Sequence, residues 1–229
     1  MTSAPIRVSR ISDWVGFTVF AIWTAMTLSK IPAAGIMLVP TLLFELSVAI
    51  SFLIRDQPRA MNRSLRARVS AYGGSFLLIV FTQFASMYRP DLFVPGFTPL
   101  TPLAVTLWIC GTVWTAYSVW HLRYAFSIEP AARRLITSGP YSFARHPVYT
   151  GYVGQYVGML IMFPTLPFAL VLVAWWVLMR DRMRHEEAVL GGTFPEYAAY
   201  RRRVGALGTL PLRRPARPKP ARPEPAAMA

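Results

Sequence analysis

Residues 147–179 read PVYTGYVGQYVGMLIMFPTLPFALVLVAWWVLM, an apolar stretch with no charged residue. At 1.5 Å per helical residue it is too long for one simple crossing of about 30 Å of hydrocarbon. Its middle carries Pro164-Thr165-Leu166-Pro167. Each proline removes a backbone N–H and restricts the residue before it, so this tetrapeptide favours a turn. The expectation is a helical hairpin, 148–163 and 167–180, with its turn on the far side of a bilayer.

Similar apolar runs precede it at about 14–30, 33–54, 69–88 and 102–122. The fold class expected is therefore an all-α integral membrane protein with five to six transmembrane helices and a C-terminal helical hairpin. Composition agrees: 54% of the 229 residues are apolar, mean hydropathy is +0.39 and only 15% are charged. A soluble domain of this length shows roughly 25% charged residues. The first run has no small-residue cleavage site and another span follows closely, so it reads as a span and not as a leader. Cys110 is the single cysteine and no Cys/His cluster has zinc spacing, so neither an internal disulfide nor a metal is implied.

Positive residues orient the spans, because short Lys/Arg-rich loops stay cytoplasmic. Of the 24 Lys and Arg, 22 fall on one side of the hairpin topology and only Lys30 and Arg89 on the other. Both termini are then cytoplasmic, as expected for a bacterial inner-membrane protein. The net charge of +14 suits anionic headgroups along that face and not nucleic acid. Three regions follow: N-terminal helices over 1–122, a region over 123–212 holding the hairpin and the candidate chemistry, and a basic Pro-rich tail, 213–229, expected to be disordered.

Two constellations could carry chemistry. Arg145-His146-Pro147 puts a cation and an imidazole at a helix start, where proline fits the first turn and free N–H groups attract an anion such as a carboxylate. The plain alternative is an interfacial anchor, with Tyr149 and Tyr152 as headgroup-level aromatics. The second is Arg180-Asp-Arg-Met-Arg-His-Glu-Glu187, followed by Leu190, Phe194, Tyr197, Tyr200 and Arg201-Arg-Arg203. If the last span continues as a helix, Arg182 and Glu186 are i,i+4 neighbours and Met179, Met183 and Leu190 share an apolar side. Its plain alternative is a solvated, salt-bridged helix extension.

Taken together, the two constellations resemble the isoprenylcysteine carboxyl methyltransferase family and its relatives, the phospholipid N-methyltransferases. The block GPY-x-x-x-RHP-x-Y-x-G stands at Gly139–Gly151, followed by a membrane hairpin and an R-x-R…E-E…L…F…Y-x-x-Y run ending near a Leu-Pro. The resemblance spans roughly Leu122 to Pro211; the first three spans share hydropathy alone. Phe194-Pro195-Glu196-Tyr197 departs from the family's F-G-x-E-Y by being one residue shorter and lacking its glycine.

The resemblance implies methyl transfer from S-adenosylmethionine to a lipid or lipidated acceptor. It places Arg145, His146, Tyr149 and Gly151 in the cofactor pocket, with Glu186 and Tyr200 closing it and Arg182 and Glu187 near the reacting centre. Bottom-up chemistry leaves the acceptor open. A carboxylate is already nucleophilic and wants a cation such as Arg182, whereas an amine arrives protonated and wants a base such as Glu187. Gly151, Gly154 and Gly158 also have the spacing of a close helix contact, and no GxGxxG follows a strand.

Glu45, in mid-span, is a candidate for the acceptor path, with a hydrogen-bonded structural carboxyl as the alternative. Arg123 could contact the acceptor or anchor its helix at the interface. Trp175 and Trp176 are expected to face lipid. Two rivals remain: an NADPH-dependent membrane reductase of related C-terminal architecture, and a small transporter or assembly protein with Glu45 as the pathway residue.

Overall fold

Prolines set the starts of four helices. The computed structural model describes residues 10–29, 38–89, 91 and 98–208. It contains α1 (Ile11–Ser29), α2 (Val39–Ile54), α3 (Leu65–Tyr88), α4 (Thr101–Leu122), α5 (Pro147–Met162), α6 (Leu166–Thr193) and α7 (Tyr197–Arg203). Pro40, Pro102, Pro147 and Pro167 stand in the first turns of α2, α4, α5 and α6, where a missing N–H costs nothing. The α3 helix starts earlier than hydropathy suggested, because the Ser64 side chain accepts a hydrogen bond from the Ala67 amide and caps it. Expectations for Arg7, Lys30, residues 33–37, Leu210-Pro211 and the tail 213–229 lie outside the described residues.

Among the described residues, α1 and α4 are long and apolar enough to cross a membrane, and α2 is a shorter apolar helix of 16 residues. Length and composition carry the expected five to six crossings for those two helices alone. The outer faces nevertheless stay apolar: Trp14, Ile22 and Met26 on α1, Val80 and Phe84 on α3, and Leu170, Val173 and Val177 on α6 are exposed. Apolar surface on this scale marks contact with lipid or a partner.

The turn at Phe163–Thr165 is where the prolines put it. The two arms do not pair chiefly with each other, however. α5 packs along α4, which also holds α2, and α2 holds α1; α6 packs on α3. Gly151 explains the α4–α5 contact: a Cβ there would sit 2.1 Å from Thr115 Oγ1 and 2.7 Å from the Gly111 carbonyl oxygen. The Trp114 indole donates to the Pro147 carbonyl and fixes the start of α5 (3.0 Å). On the other side, Trp175 is 2% exposed and donates to the Gly74 carbonyl on α3 (2.9 Å). Its expected lipid exposure is thus corrected: an indole N–H in an apolar setting needs an acceptor, and α3 supplies it. Trp176 is half-buried.

Two short strands, β1 (Ala60–Met61) and β2 (Ala131–Ala132), pair antiparallel. They tie the α2–α3 loop to the segment after α4. Asp56 reinforces the tie through Arg134 at its carboxylate and Arg133 at its carbonyl.

Candidate functional site

A cavity of about 140 Å³ is walled by α5, α6, α3 and the segment after α4, far larger than the single-water voids of a close-packed interior. Its wall carries polar and charged side chains, among them Arg145, His146, Tyr149, Arg182, Glu186 and Tyr200, and apolar ones, among them Phe20, Val48, Phe76, Ile79 and Val119.

Glu186 is the hub of the polar side chains. One carboxylate oxygen accepts from the Tyr149 hydroxyl (2.6 Å) and from Arg182 Nε (2.9 Å), while the other faces His146 Nδ1 at 3.5 Å. Arg182 is 6% exposed. It also donates through Nη1 to Ser75 Oγ (2.7 Å) and lies over the Tyr149 ring at 5.3 Å. The i,i+4 pair is therefore real, and the solvated-extension alternative fails for it: this stretch of α6 is packed against α3. Burying such a pair is tolerable because most of its hydrogen-bonding capacity is filled, with Arg182 Nη2 keeping one long contact, to the Ser127 carbonyl (3.4 Å).

His146, 6% exposed, stacks on Tyr149 with ring centroids 5.4 Å apart. Its Nε2 is 3.2 Å from Glu187 Oε1. Burial pushes the imidazole pKa down, but the two carboxylates outweigh it and hold the pKa above its ordinary value. Burial likewise pushes Glu186 and Glu187 up. Arg182 and His146 for Glu186, and His146 and Arg145 for Glu187, bring both well below the usual carboxylate range. An interfacial anchor would leave His146 in contact with headgroups, and burial among carboxylates excludes that alternative.

The start of α5 differs from the expected open anion site. The Arg145 and His146 amides donate to the Gly205 and Ala206 carbonyls (both 2.9 Å), and Thr150 Oγ1 donates to Leu207 O (3.2 Å). The segment after α7 thus lies across this helix start. Arg145 spends its guanidinium on Glu187 (2.9 Å) and on the Val204 carbonyl (2.6 Å).

Four candidates stand apart from the cavity. Glu187 does not line it; Arg145, His146 and Arg201 surround its carboxylate. Gly151 faces α4, so its role here is packing. Glu45 accepts from Thr27 Oγ1 (2.8 Å) at the α1–α2 contact, and Arg123 donates to Trp120 O while lying over the Trp120 and Tyr124 rings. Neither lines the cavity. Tyr200, by contrast, lines the cavity, with its hydroxyl donating to the Tyr141 carbonyl (2.6 Å).

Sequence reasoning missed Ser75 and the 125–136 segment, which supplies Phe126, Ser127 and Glu129 to the wall. The Gly73-Gly74-Ser75 run in mid-helix was a usable signal, since small residues let helices approach closely. The 125–136 wall carries no periodic signal.

Residues 101–191 match the model of the Isoprenylcysteine carboxyl methyltransferase (ICMT) family. That segment is similar to the isoprenylcysteine carboxyl methyltransferase family. It contains Arg145, His146, Tyr149, Arg182 and Glu186, while Tyr200 lies beyond it. Two curated relatives are the cobalt-zinc-cadmium resistance protein CzcN of Cupriavidus metallidurans and the nickel-cobalt-cadmium resistance protein NccN of Alcaligenes xylosoxydans xylosoxydans. The first is 34% identical over 111 residues, 48% of this chain and 50% of that protein. The second is 33% identical over 105 residues, 45% and 46% respectively. The chain spans about half the length of the curated relatives it matches. No solved structure matches it.

Proposed function

We propose that this chain is an integral membrane methyltransferase that takes its methyl group from S-adenosylmethionine and passes it to a lipophilic acceptor. The observation that carries the reading is one cavity whose wall combines charged, aromatic and apolar side chains and takes Arg145, His146, Tyr149, Arg182 and Glu186 from the segment that matches the family. S-adenosylmethionine, when bound, supplies a sulfonium-activated methyl group, so the protein's task is to hold donor and acceptor in line and away from water. The residues present suit such a cation: the Glu186 carboxylate stays ionised at the cavity wall. His146, Tyr149 and Arg182 fix the carboxylate's orientation, and Tyr200 closes the wall from α7.

The wall also supports an anionic acceptor over an amine. Glu186 already accepts from Tyr149 and Arg182 and faces His146, so its ionised state is favoured and its affinity for a further proton is low. Glu187, the base an amine would need, lies outside the cavity wall. Arg182 can hold a carboxylate, which needs no deprotonation. The names of the two relatives raise metal resistance as the setting; among the described residues no group of three His, Cys, Asp or Glu is placed to hold a metal ion.

The test is incubation of the purified protein with labelled S-adenosylmethionine and a total lipid extract, followed by identification of the labelled product. Label in a lipid ester supports the reading; label in a phospholipid amine would move the acceptor to the other class. No label above a His146→Ala, Arg182→Ala double variant would contradict methyl transfer.

A further inference from the structure

Among the tyrosines lining the cavity, Tyr149, Tyr141 and Tyr200 each spend their hydroxyl on a protein acceptor. Tyr152 and Tyr197 do not: among the described residues neither hydroxyl makes a hydrogen bond, but that of Tyr197 is fully buried whereas that of Tyr152 is not. The Tyr152 ring itself is held firmly. Tyr149 stacks on it at 6.3 Å, and Phe44 from α2 and Trp175 from α6 meet it edge-on at 6.1 and 6.4 Å. One turn of α5 separates it from Tyr149, which bonds Glu186. Arg182 lies over the same Tyr149 ring on which Tyr152 stacks, and both line the cavity. A fixed O–H donor beside a buried cation makes a two-point site for an anionic oxygen. A phenol left unsatisfied in such surroundings is costly unless a ligand or water completes it.

We propose that Tyr152 is a specificity-determining residue: its hydroxyl donates to an anionic oxygen of the acceptor headgroup, which Arg182 neutralises, while the acceptor's chain lies toward Phe76, Ile79 and Val119. This rests on the function proposed above and narrows the acceptor to lipids with an anionic oxygen, a carboxylate or a phosphate. A neutral ester or an amine of equal chain length gains nothing from the pair.

Binding to the full-length protein in nanodiscs tests this with four farnesyl probes: N-acetyl-S-farnesylcysteine, its methyl ester, farnesyl monophosphate and farnesylamine. The wild type is expected to bind at least one anion roughly tenfold more tightly than the ester or the amine, as one hydrogen bond to a charged group supplies. The tighter anion identifies the headgroup. Tyr152→Phe should erase most of that preference while leaving ester affinity in place, because the ring packing is kept; loss of affinity for all four probes alike would mean a packing role and overturn the proposal. Equal binding of anions and ester by the wild type, or an undiminished preference in Tyr152→Phe, would overturn it too. S-adenosylmethionine binding by the wild type, measured alongside, decides the methyltransferase reading independently.

Discussion

His146 is the residue on which the two carboxylates converge, and its protonation is open to measurement. Its pKa is raised in the folded protein, so its stabilising contribution is complete below the unfolded value of about 6.5 and is lost as pH rises through the folded value. Glu186 and Glu187 are lowered, so their contribution is present above about pH 4.3 and is lost as pH falls toward their folded values. The cluster is therefore strongest between roughly pH 4.5 and 6.5. The Tm difference between wild type and His146→Gln should be widest near pH 5–6 and shrink toward alkaline pH. A difference that stays flat from pH 5 to 9 would show that no imidazolium sits between the carboxylates. The Arg145-His146 pair was visible in the sequence as a candidate, but its environment was not. What buries His146 is α6, some forty residues later, together with the segment after α7 that takes up the 145 and 146 amides.

Helix packing sets the cavity. Gly151 carries the α4–α5 contact, and an alanine there would drive its methyl into Thr115 Oγ1 and the Gly111 carbonyl. Because one obstacle is backbone, the helices must separate, and Gly151→Ala should cost about 1–3 kcal/mol. Thermal unfolding in detergent reads this directly; a Tm equal to wild type would mean that α4 and α5 are not so close. The same principle explains what the sequence made legible. The helix starts at Pro147 and Pro167 and the turn between them follow from missing N–H groups, and the small face of Gly151, Gly154 and Gly158 from helical spacing. Two elements were not legible. β1 and β2 pair over two residues each, too short for an alternating pattern, and the 125–136 wall is placed by that pairing. Trp175 carried no mark of burial, because its partner is a backbone carbonyl on α3.

For the whole molecule, exposed apolar surfaces and the one-sided distribution of Lys and Arg should fix the topology. Reporter fusions after Ser29, Arg68, Arg89 and Ala229 are expected to place Arg68 and Ala229 in the cytoplasm and Ser29 and Arg89 outside. An extracytoplasmic Ala229 would break the hairpin and put α5 and α6 chemistry on the wrong side of the membrane. The N-terminal helices, which showed no motif, supply Phe20 and Val48 to the cavity wall, so the site belongs to the molecule and not to its C-terminal half alone. The most direct test of the central claim is a calorimetric titration of the purified, folded protein with S-adenosylmethionine. Saturable one-to-one binding, weakened about tenfold or more by Glu186→Gln through loss of its charged hydrogen bonds, is the predicted result. Absence of binding to the wild type, or an affinity unchanged in Glu186→Gln, would contradict it.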